Sequence, residues 1–225
     1  MELAIDTSTN YAGIAISHEG ETLIELNWYS QRNHTVELAP NIKNIMNQMK
    51  TEFKSLNAIF VAIGPGSFNG LRVGVSAAKG FAFALNIPLI GINTFEIEAY
   101  PFAFTGLPLC PVHNAGRGEI ATALYQQDDE WHCLQKEHIT TTDKLCRTIK
   151  KRMVFCGEIP QPVIQQLQQI PGNRVIIPDA TARMRHASYL ATLGWQRFNK
   201  GIQDNPASLQ PIYLRKPPIT QRKTR

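Results

Sequence analysis

Two segments of the chain carry residue types that can bind phosphate. Asp6-Thr7-Ser8-Thr9 places one acid and three hydroxyls in a row, a set that can hold a metal ion and a phosphate group, or can form an ordinary hairpin turn. Residues 64–74 contain four glycines and an arginine, namely Gly64, Gly66, Gly70, Arg72 and Gly74. Where such a turn leads into a helix, its backbone N–H groups can face an anion. Both segments are therefore candidate phosphate-binding sites.

The spacing within residues 64–74 does not match the known phosphate-binding loops. A P-loop carries Lys-Ser or Lys-Thr directly after its last glycine, whereas Leu71 follows Gly70 here. A dinucleotide-binding turn has its third glycine where Asn69 stands, and a nucleophile elbow around Ser67 would need glycine in place of Pro65. Two interpretations stay open: an anion-facing turn, or a tight turn in which glycine permits positive φ and close helix–sheet contact.

Hydrophobic runs in the first hundred residues predict a sheet that would hold both segments. Three strands of a meander are predicted at residues 3–6, 11–17 and 21–28, and a continuous apolar run predicts a buried strand at 58–64. One helix is predicted with Thr35 as its N-cap and with Pro40 bending or delaying its start. A second helix ends near Asn86, a strand follows at 88–92, and Thr94 is the predicted cap of a third helix. This order is that of a ribonuclease-H-like lobe.

The second part of the chain repeats this order less clearly. Strands are predicted at residues 109–114, 120–126, 132–139, 153–156 and 174–177, and helices at 143–151, 162–169 and 182–199. Since no flexible linker separates the halves, we predict an actin-like, duplicated two-lobe α/β fold. Residues 1–100 would form the ribonuclease-H-like first lobe with the glycine segment. Residues 101–225 would form a smaller second lobe with the final helix and a basic C-terminal tail.

The composition is that of an ordinary globular protein, with 43% hydrophobic and 18% charged residues among 225. No apolar run reaches the roughly 18 residues of a membrane span, and the chain opens without a basic leader, so we expect a cytoplasmic protein. The four cysteines form no metal-binding pair and are expected to be reduced. Five basic residues from Arg215 onward account for the net charge of +5, and we expect this tail to be solvated, with contact to RNA phosphates as the alternative.

The helix after the glycine segment carries two stripes. One is apolar and suits a sheet: Leu71, Val75, Ala78, Ala82 and Leu85. The other is made of small residues: Ala77, Gly80 and Ala84. Because small residues let a second helix approach closely, this stripe predicts helix–helix packing, either with another subunit or with a helix of the same chain.

Several motifs together resemble the TsaB (YeaZ) family. They are Ala4-Ile5-Asp6-Thr7-Ser8-Thr9, the eleven residues 64–74, Ala78-Lys79-Gly80 and Pro211-Ile212-Tyr213-Leu214-Arg215. The resemblance implies an actin-like (ASKHA) fold and a role in making threonylcarbamoyladenosine at position 37 of tRNA. It also implies a heterodimer with the catalytic subunit TsaD, association with the ATPase TsaE, contact with tRNA through the complex, and a homodimer as an option for the chain alone. The implied partner-binding residues are Ala77, Gly80, Ala84, Met46 and Met49.

The resemblance also bears on catalysis. The catalytic subunit carries Asn-His-x-x-x-His, whose two imidazoles ligate a metal, and the matching segment here places Thr94 and Glu98 at the two histidine positions. A threonine and a glutamate at that spacing make a poor transition-metal site. We therefore predict a non-catalytic subunit without catalytic residues, metal or cofactor. The alternatives are a metal-dependent peptidase of the glycoprotease type and an independent ATP-binding protein that uses residues 6–9.

Overall fold

Two five-stranded mixed sheets, each covered by helices on both faces, make up the fold. The computed structural model describes residues 1–31 and 33–215. The strands are β1 (Glu2–Asp6), β2 (Tyr11–His18), β3 (Glu21–Tyr29), β4 (Ala58–Gly64), β5 (Leu89–Asn93), β6 (Leu109–Gly116), β7 (Glu119–Gln127), β8 (Trp131–Thr140), β9 (Met153–Cys156) and β10 (Val175–Ile176). The α-helices are α1 (His34–Gln48), α2 (Phe68–Leu85), α3 (Thr94–Ala99), α4 (Thr142–Thr148), α5 (Gln161–Gln168) and α6 (Ala187–Asn199). Within the described residues, no helix is long and apolar enough to cross a membrane.

Strand β1 lies at the centre of the first sheet, whose order is β3-β2-β1-β4-β5. It pairs antiparallel with β2, where Ile5 faces Ile14, and parallel with β4, where Ile5 faces Val61. All five of its residues are buried, because α1 and α2 cover one face of the sheet and α6 covers the other. The end of β1 therefore delivers the Asp6 carboxylate to the edge at which β4 also ends.

The second sheet repeats the first one strand for strand. Its order, β10-β9-β6-β7-β8, has β6 at the centre with an antiparallel neighbour β7 and a parallel neighbour β9. Helices α4 and α5 follow β8 and β9, as α1 and α2 follow β3 and β4. The predicted duplicated two-lobe α/β fold is confirmed by this repetition.

The third helix of each half packs against the sheet of the other half. Helix α3 shares an apolar cluster with the second sheet through Phe95 and Ala99. Helix α6 shares a cluster with the first sheet, in which Leu190 lies with Phe60 of β4. Helix α6 thus packs on the first sheet, although its place in the sequence assigns it to the second lobe. The proposed lobe boundary at residue 100 stays a prediction.

Three helix starts differ from those predicted. Helix α1 begins at His34 with Asn33 as its N-cap residue, so Thr35 is not the cap, and an exposed Pro40 does not delay the helix. The cap of α3 is Asn93, whose side chain accepts from the backbone N–H of Phe95 at 2.9 Å. Helix α6 begins five residues later than expected, at Ala187.

Candidate functional site

A cleft of about 610 Å³ contains parts of both candidate segments. Thr9 and Asn10 line it from the β1–β2 turn, and Gly66 and Ser67 from the glycine segment. The opposite wall comes from the second sheet and from the end of the described chain, and includes His113, Asn114, Arg117, Glu158, Tyr213 and Arg215. The topology thus brings together two segments that lie about sixty residues apart in the sequence.

The glycine segment packs directly on the turn formed by residues 6–9. A Cβ atom on Gly66 would overlap the carbonyl oxygen of Ser8, and one on Gly70 would overlap that of Thr7. The backbone N–H of Ser67 donates to the Ser8 carbonyl at 2.6 Å, and the Thr7 hydroxyl donates to the Gly70 carbonyl at 2.7 Å. These contacts favour close packing over anion binding as the reason for these two glycines.

The remaining members of the segment have separate positions. Gly64 ends β4 with φ +107°, and Gly74 lies buried in the second turn of α2. Arg72 is exposed, with its guanidinium 5.3 Å from the centre of the Phe68 ring. Helix α2 itself begins at a regular cap, since the Ser67 hydroxyl accepts from the N–H of Gly70.

Both carboxylate oxygens of Asp6 already accept hydrogen bonds within the chain. Oδ1 accepts from the backbone N–H of Ser8 at 2.8 Å and from its hydroxyl at 2.6 Å. Oδ2 accepts from Nε of Arg185 at 2.5 Å. The acid that could have held a metal ion beside a phosphate is thus neutralised by a cation of the same chain.

Arg185 is the centre of a buried charge cluster, of which Thr9, His113 and Glu158 line the cleft. Its side chain is only 4% exposed, and besides Asp6 it contacts Glu98 through Nη1 at 2.7 Å and the Thr9 hydroxyl through Nη2 at 2.8 Å. The Glu98 oxygen that accepts from Arg185 also contacts Nε2 of His113 at 2.7 Å. The cluster therefore joins β1, α3, β6 and the segment before α6.

The electrostatics of this cluster fix its charge state. Burial opposes ionisation of Glu98, but the charges of His113 and Arg185 and their hydrogen bonds outweigh it and hold the pKa of Glu98 below its usual value. Burial likewise opposes the charge of Arg185, whereas Asp6, Glu98 and Glu158 raise the pKa of its guanidinium above the usual value. Arg185 therefore remains a cation.

Thr94 and one carboxylate oxygen of Glu98 form hydrogen bonds within the fold, whereas the other oxygen, Oε2, is buried without a hydrogen-bond partner among the described residues. The Thr94 side chain is fully buried, and its hydroxyl accepts from the backbone N–H of Gly64 at 3.1 Å. Glu98 holds Arg185 and His113 through a single carboxylate oxygen. In the described part of the chain, no three His, Cys, Asp or Glu side chains are grouped so that they could hold a metal ion.

The end of the described chain closes one side of the cleft. Ile212 donates its backbone N–H to the carbonyl of Ile63 at 2.7 Å, and the Tyr213 ring lies 4.9 Å from that of Phe68. Arg215 donates to the carbonyl of Ala115 at 2.8 Å and pairs with Glu119. Arg215 is thus part of the fold and not of a solvated tail. The other basic residues of the predicted tail lie outside the described residues.

The small stripe of α2 lies on the outer side of the helix. Gly80 and Ala84 are exposed, and a Cβ on Gly80 would meet no atom within 4 Å. Ala77 is half-buried and packs against the core beneath α1 and α2. The apolar stripe faces the sheet as predicted, with Leu71, Val75, Ala78 and Ala82 buried.

The two methionines of α1 do not behave alike. Met46 is 2% exposed and lies in the apolar core beneath α1 and α2, so its side chain is not at the surface of this chain, and its role in partner binding stays a prediction. Met49 is half-buried at the end of α1. Two exposed apolar residues of these helices were not predicted: Phe83, 85% exposed between Gly80 and Ala84 on α2, and Val36, 70% exposed on α1. A large exposed aromatic beside a small stripe is the signal that could have identified the face.

The fold defines a class: a protein of two similar α/β lobes, each built on a five-stranded mixed sheet. A sequence model of the family described as "TsaD: tRNA N6-adenosine threonylcarbamoyltransferase" matches residues 28–219. The tRNA threonylcarbamoyladenosine biosynthesis protein TsaB of Haemophilus influenzae is 37% identical over 95% of this chain and 92% of its own length, and that of Bacillus subtilis is 30% identical over 95% and 93%. The structure of YeaZ from Pseudomonas aeruginosa superposes with a TM-score of 0.79 at 22% identity, covering 95% of this chain and 99% of that one. The chain belongs to this family, and within it to the TsaB (YeaZ) proteins.

Proposed function

We propose that this chain is a non-catalytic subunit in threonylcarbamoylation of tRNA adenosine 37, which binds and activates a TsaD-like catalytic subunit. The observation that carries the proposal is that Thr94 and Glu98 form hydrogen bonds within this chain. These positions correspond to the metal-binding imidazoles of the catalytic relatives, and here their side chains bond the Gly64 backbone and the Arg185–His113 pair. The charge of Glu98 is matched by a buried arginine, and within the described residues Glu98 belongs to no group of three His, Cys, Asp or Glu side chains that could hold a metal ion.

The outer face of α2 supports the partner-binding part of the proposal. Phe83 exposes a large apolar side chain next to Gly80 and Ala84, and no atom of the described chain lies within 4 Å of a Cβ placed on Gly80, so the small residues leave the helix surface open to a second helix. Covering an exposed apolar patch of this kind with a partner removes apolar surface from water and so stabilises the complex. A TsaD-like subunit of similar fold is the proposed occupant, with a TsaE-like ATPase and tRNA joining the complex.

Reconstitution with the TsaD-like protein of the same organism tests the proposal. We expect the two chains to co-purify and tRNA modification to require both. Metal should be found in the TsaD-like chain and not in this chain by elemental analysis. Titration of this chain with Mg-ATP should give no heat of binding, since Asp6 is occupied by Arg185. Modification that proceeds equally well without this chain would contradict the proposed function.

A further inference from the structure

The second lobe carries a compact basic surface. Lys144, Arg147, Lys150, Lys151 and Arg152 occur within nine positions, on α4 and in the turn that leads to β9, with no acid between them. All five are exposed, and none forms an ion pair within residues 1–31 and 33–215. We call these five residues the α4 basic surface.

The charge of the remaining protein makes this surface stand out. The whole chain has 23 basic and 18 acidic residues. When the α4 basic surface and the five basic residues from Arg215 onward are set aside, 13 basic residues remain against the same 18 acidic ones. The α4 basic surface is therefore a local positive region on a body with net negative charge. Such an asymmetry orients an approaching polyanion toward one face.

A cavity of about 500 Å³ opens beside these residues. Lys144, Lys150 and Lys151 line it, together with the polar side chains of Gln135 and His138. No acidic residue is among its lining residues. Cys110 in its wall is also uncharged, because burial raises the pKa of its thiol to about 12. Three lysines therefore line one recess that has no acidic residue in its lining.

We propose that the α4 basic surface binds the phosphodiester backbone of RNA, with Lys144, Lys150 and Lys151 contacting phosphates around the cavity. Lysine ammonium groups bind phosphate as point charges and need no fixed geometry, which suits exposed side chains on a short helix and in the turn after it. The choice of tRNA as the RNA rests on the proposed function. The surface lies on the second sheet, whereas the proposed partner face lies on α2 of the first, so one chain can use both.

The salt dependence of tRNA binding gives the expected magnitude. The slope of log K against log salt falls by about 0.7–0.9 for each phosphate that the protein no longer neutralises. Removal of three lysine charges should therefore lower the slope by about two to three, and should weaken binding at low salt by at least about tenfold. Glutamine is the replacement of choice, because it removes the charge and keeps part of the apolar stem.

The experiment measures tRNA binding by fluorescence anisotropy over a series of salt concentrations, for the complex with the TsaD-like protein and for the full chain alone. The test variant is Lys144→Gln/Lys150→Gln/Lys151→Gln. The matched control, Lys50→Gln/Lys54→Gln/Lys200→Gln, removes the same charge from three exposed residues outside the second sheet. We expect the slope to fall in the test variant alone, with melting temperature and TsaD binding unchanged.

The outcomes separate this inference from the proposed function. An unchanged slope in an intact complex overturns the RNA-binding surface and leaves the proposed function standing. An unchanged slope combined with loss of a protein partner also overturns it, because the surface would then bind an acidic protein. If no complex with TsaD forms, the proposed function fails, and a lower slope for the variant chain alone still supports the surface.

Discussion

Replacement of Ala84 by arginine is the sharpest test of the proposed partner face. Ala84 is exposed in the last turn of α2, beside Gly80 and Phe83. In the free chain the change should cost little, because arginine follows alanine closely in helix propensity. A cation in the last turn, where α2 has none, gains about 0.3–1 kcal/mol from the helix dipole. We expect the melting temperature to be unchanged or slightly raised.

In the complex the same substitution should be costly. If a partner helix packs on the small stripe, its axis lies about 8–10 Å away and leaves no room for a guanidinium. Burying that charge unpaired costs about 3–5 kcal/mol. Since each 1.4 kcal/mol is about tenfold in affinity, binding to the TsaD-like protein should weaken by more than about a hundredfold. tRNA modification should fall with it.

The assay is isothermal titration with the TsaD-like protein, paired with a circular-dichroism melt. Ala182→Arg, at an exposed alanine outside helix α2, is the matched control and should bind normally. From the sequence alone, Ala77→Arg is an equally good test. In the structure it is a weaker test, because Ala77 packs against the core and its replacement should also destabilise the fold. A folded Ala84→Arg variant that binds with unchanged affinity would refute the reasoning and place the partner elsewhere.

The buried contacts and the tail give four further predictions. Arg185→Met should lower the free energy of unfolding by about 3–5 kcal/mol in urea titration, because it leaves buried carboxylates without their cation. Folding lowers the pKa of Glu98, so ionised Glu98 contributes to the free energy of unfolding above its unfolded pKa of about 4.3, and this contribution is lost as pH falls through the lower folded value. Glu98→Gln should therefore make the free energy of unfolding less dependent on pH below about pH 4, measured by acid titration. Gly66→Ala should lower stability by about 1–3 kcal/mol in thermal melts, because its Cβ overlaps the Ser8 carbonyl. Deletion of residues 217–225 should leave the salt slope of tRNA binding by the complex nearly unchanged, and a clear fall would show that the tail contacts RNA.

Local sequence patterns predict helices that have one apolar face and strands that are buried on both faces. Strand β4 follows from its continuous apolar run, and the sheet-facing side of α2 follows from residues three and four apart. Helix starts are harder to predict, since Thr35 and Thr94 are good capping residues that stand within two positions of the asparagine that holds the cap position. The packing of α6 on the first sheet does not follow from its own amphipathic pattern, because both sheets offer it an apolar face.

In the candidate site, too, local motifs can be predicted from the sequence and long-range contacts between side chains cannot. The Asp6 turn and the glycine segment can be identified from the sequence, because each is a local motif. Arg185 cannot, since it bonds Asp6 across 179 positions and lies in no motif. The sequence of the turn alone suggests a phosphate site, but the hydroxyls of Thr7 and Ser8 already donate to Gly70 and Asp6. In the fold, Asp6 is the acidic partner of Arg185 in a buried ion pair, and the Thr9 hydroxyl accepts a hydrogen bond from the same guanidinium.

The buried Arg185 cluster also explains why replacing Thr94 and Glu98 by histidine would not create a metal site. Replacing Thr94 and Glu98 by histidine would place the second imidazole where the guanidinium of Arg185 now contacts a carboxylate at 2.7 Å. A metal ion there would lie beside a buried cation, and the imidazole of His113 would lose its acidic partner. Both effects disfavour an added positive charge at low effective dielectric. A histidine pair at positions 94 and 98 and a buried Arg185 are therefore mutually unfavourable, because Arg185 is the cation that joins β1 and α3, and its Glu98 partner also bonds His113 of the second sheet.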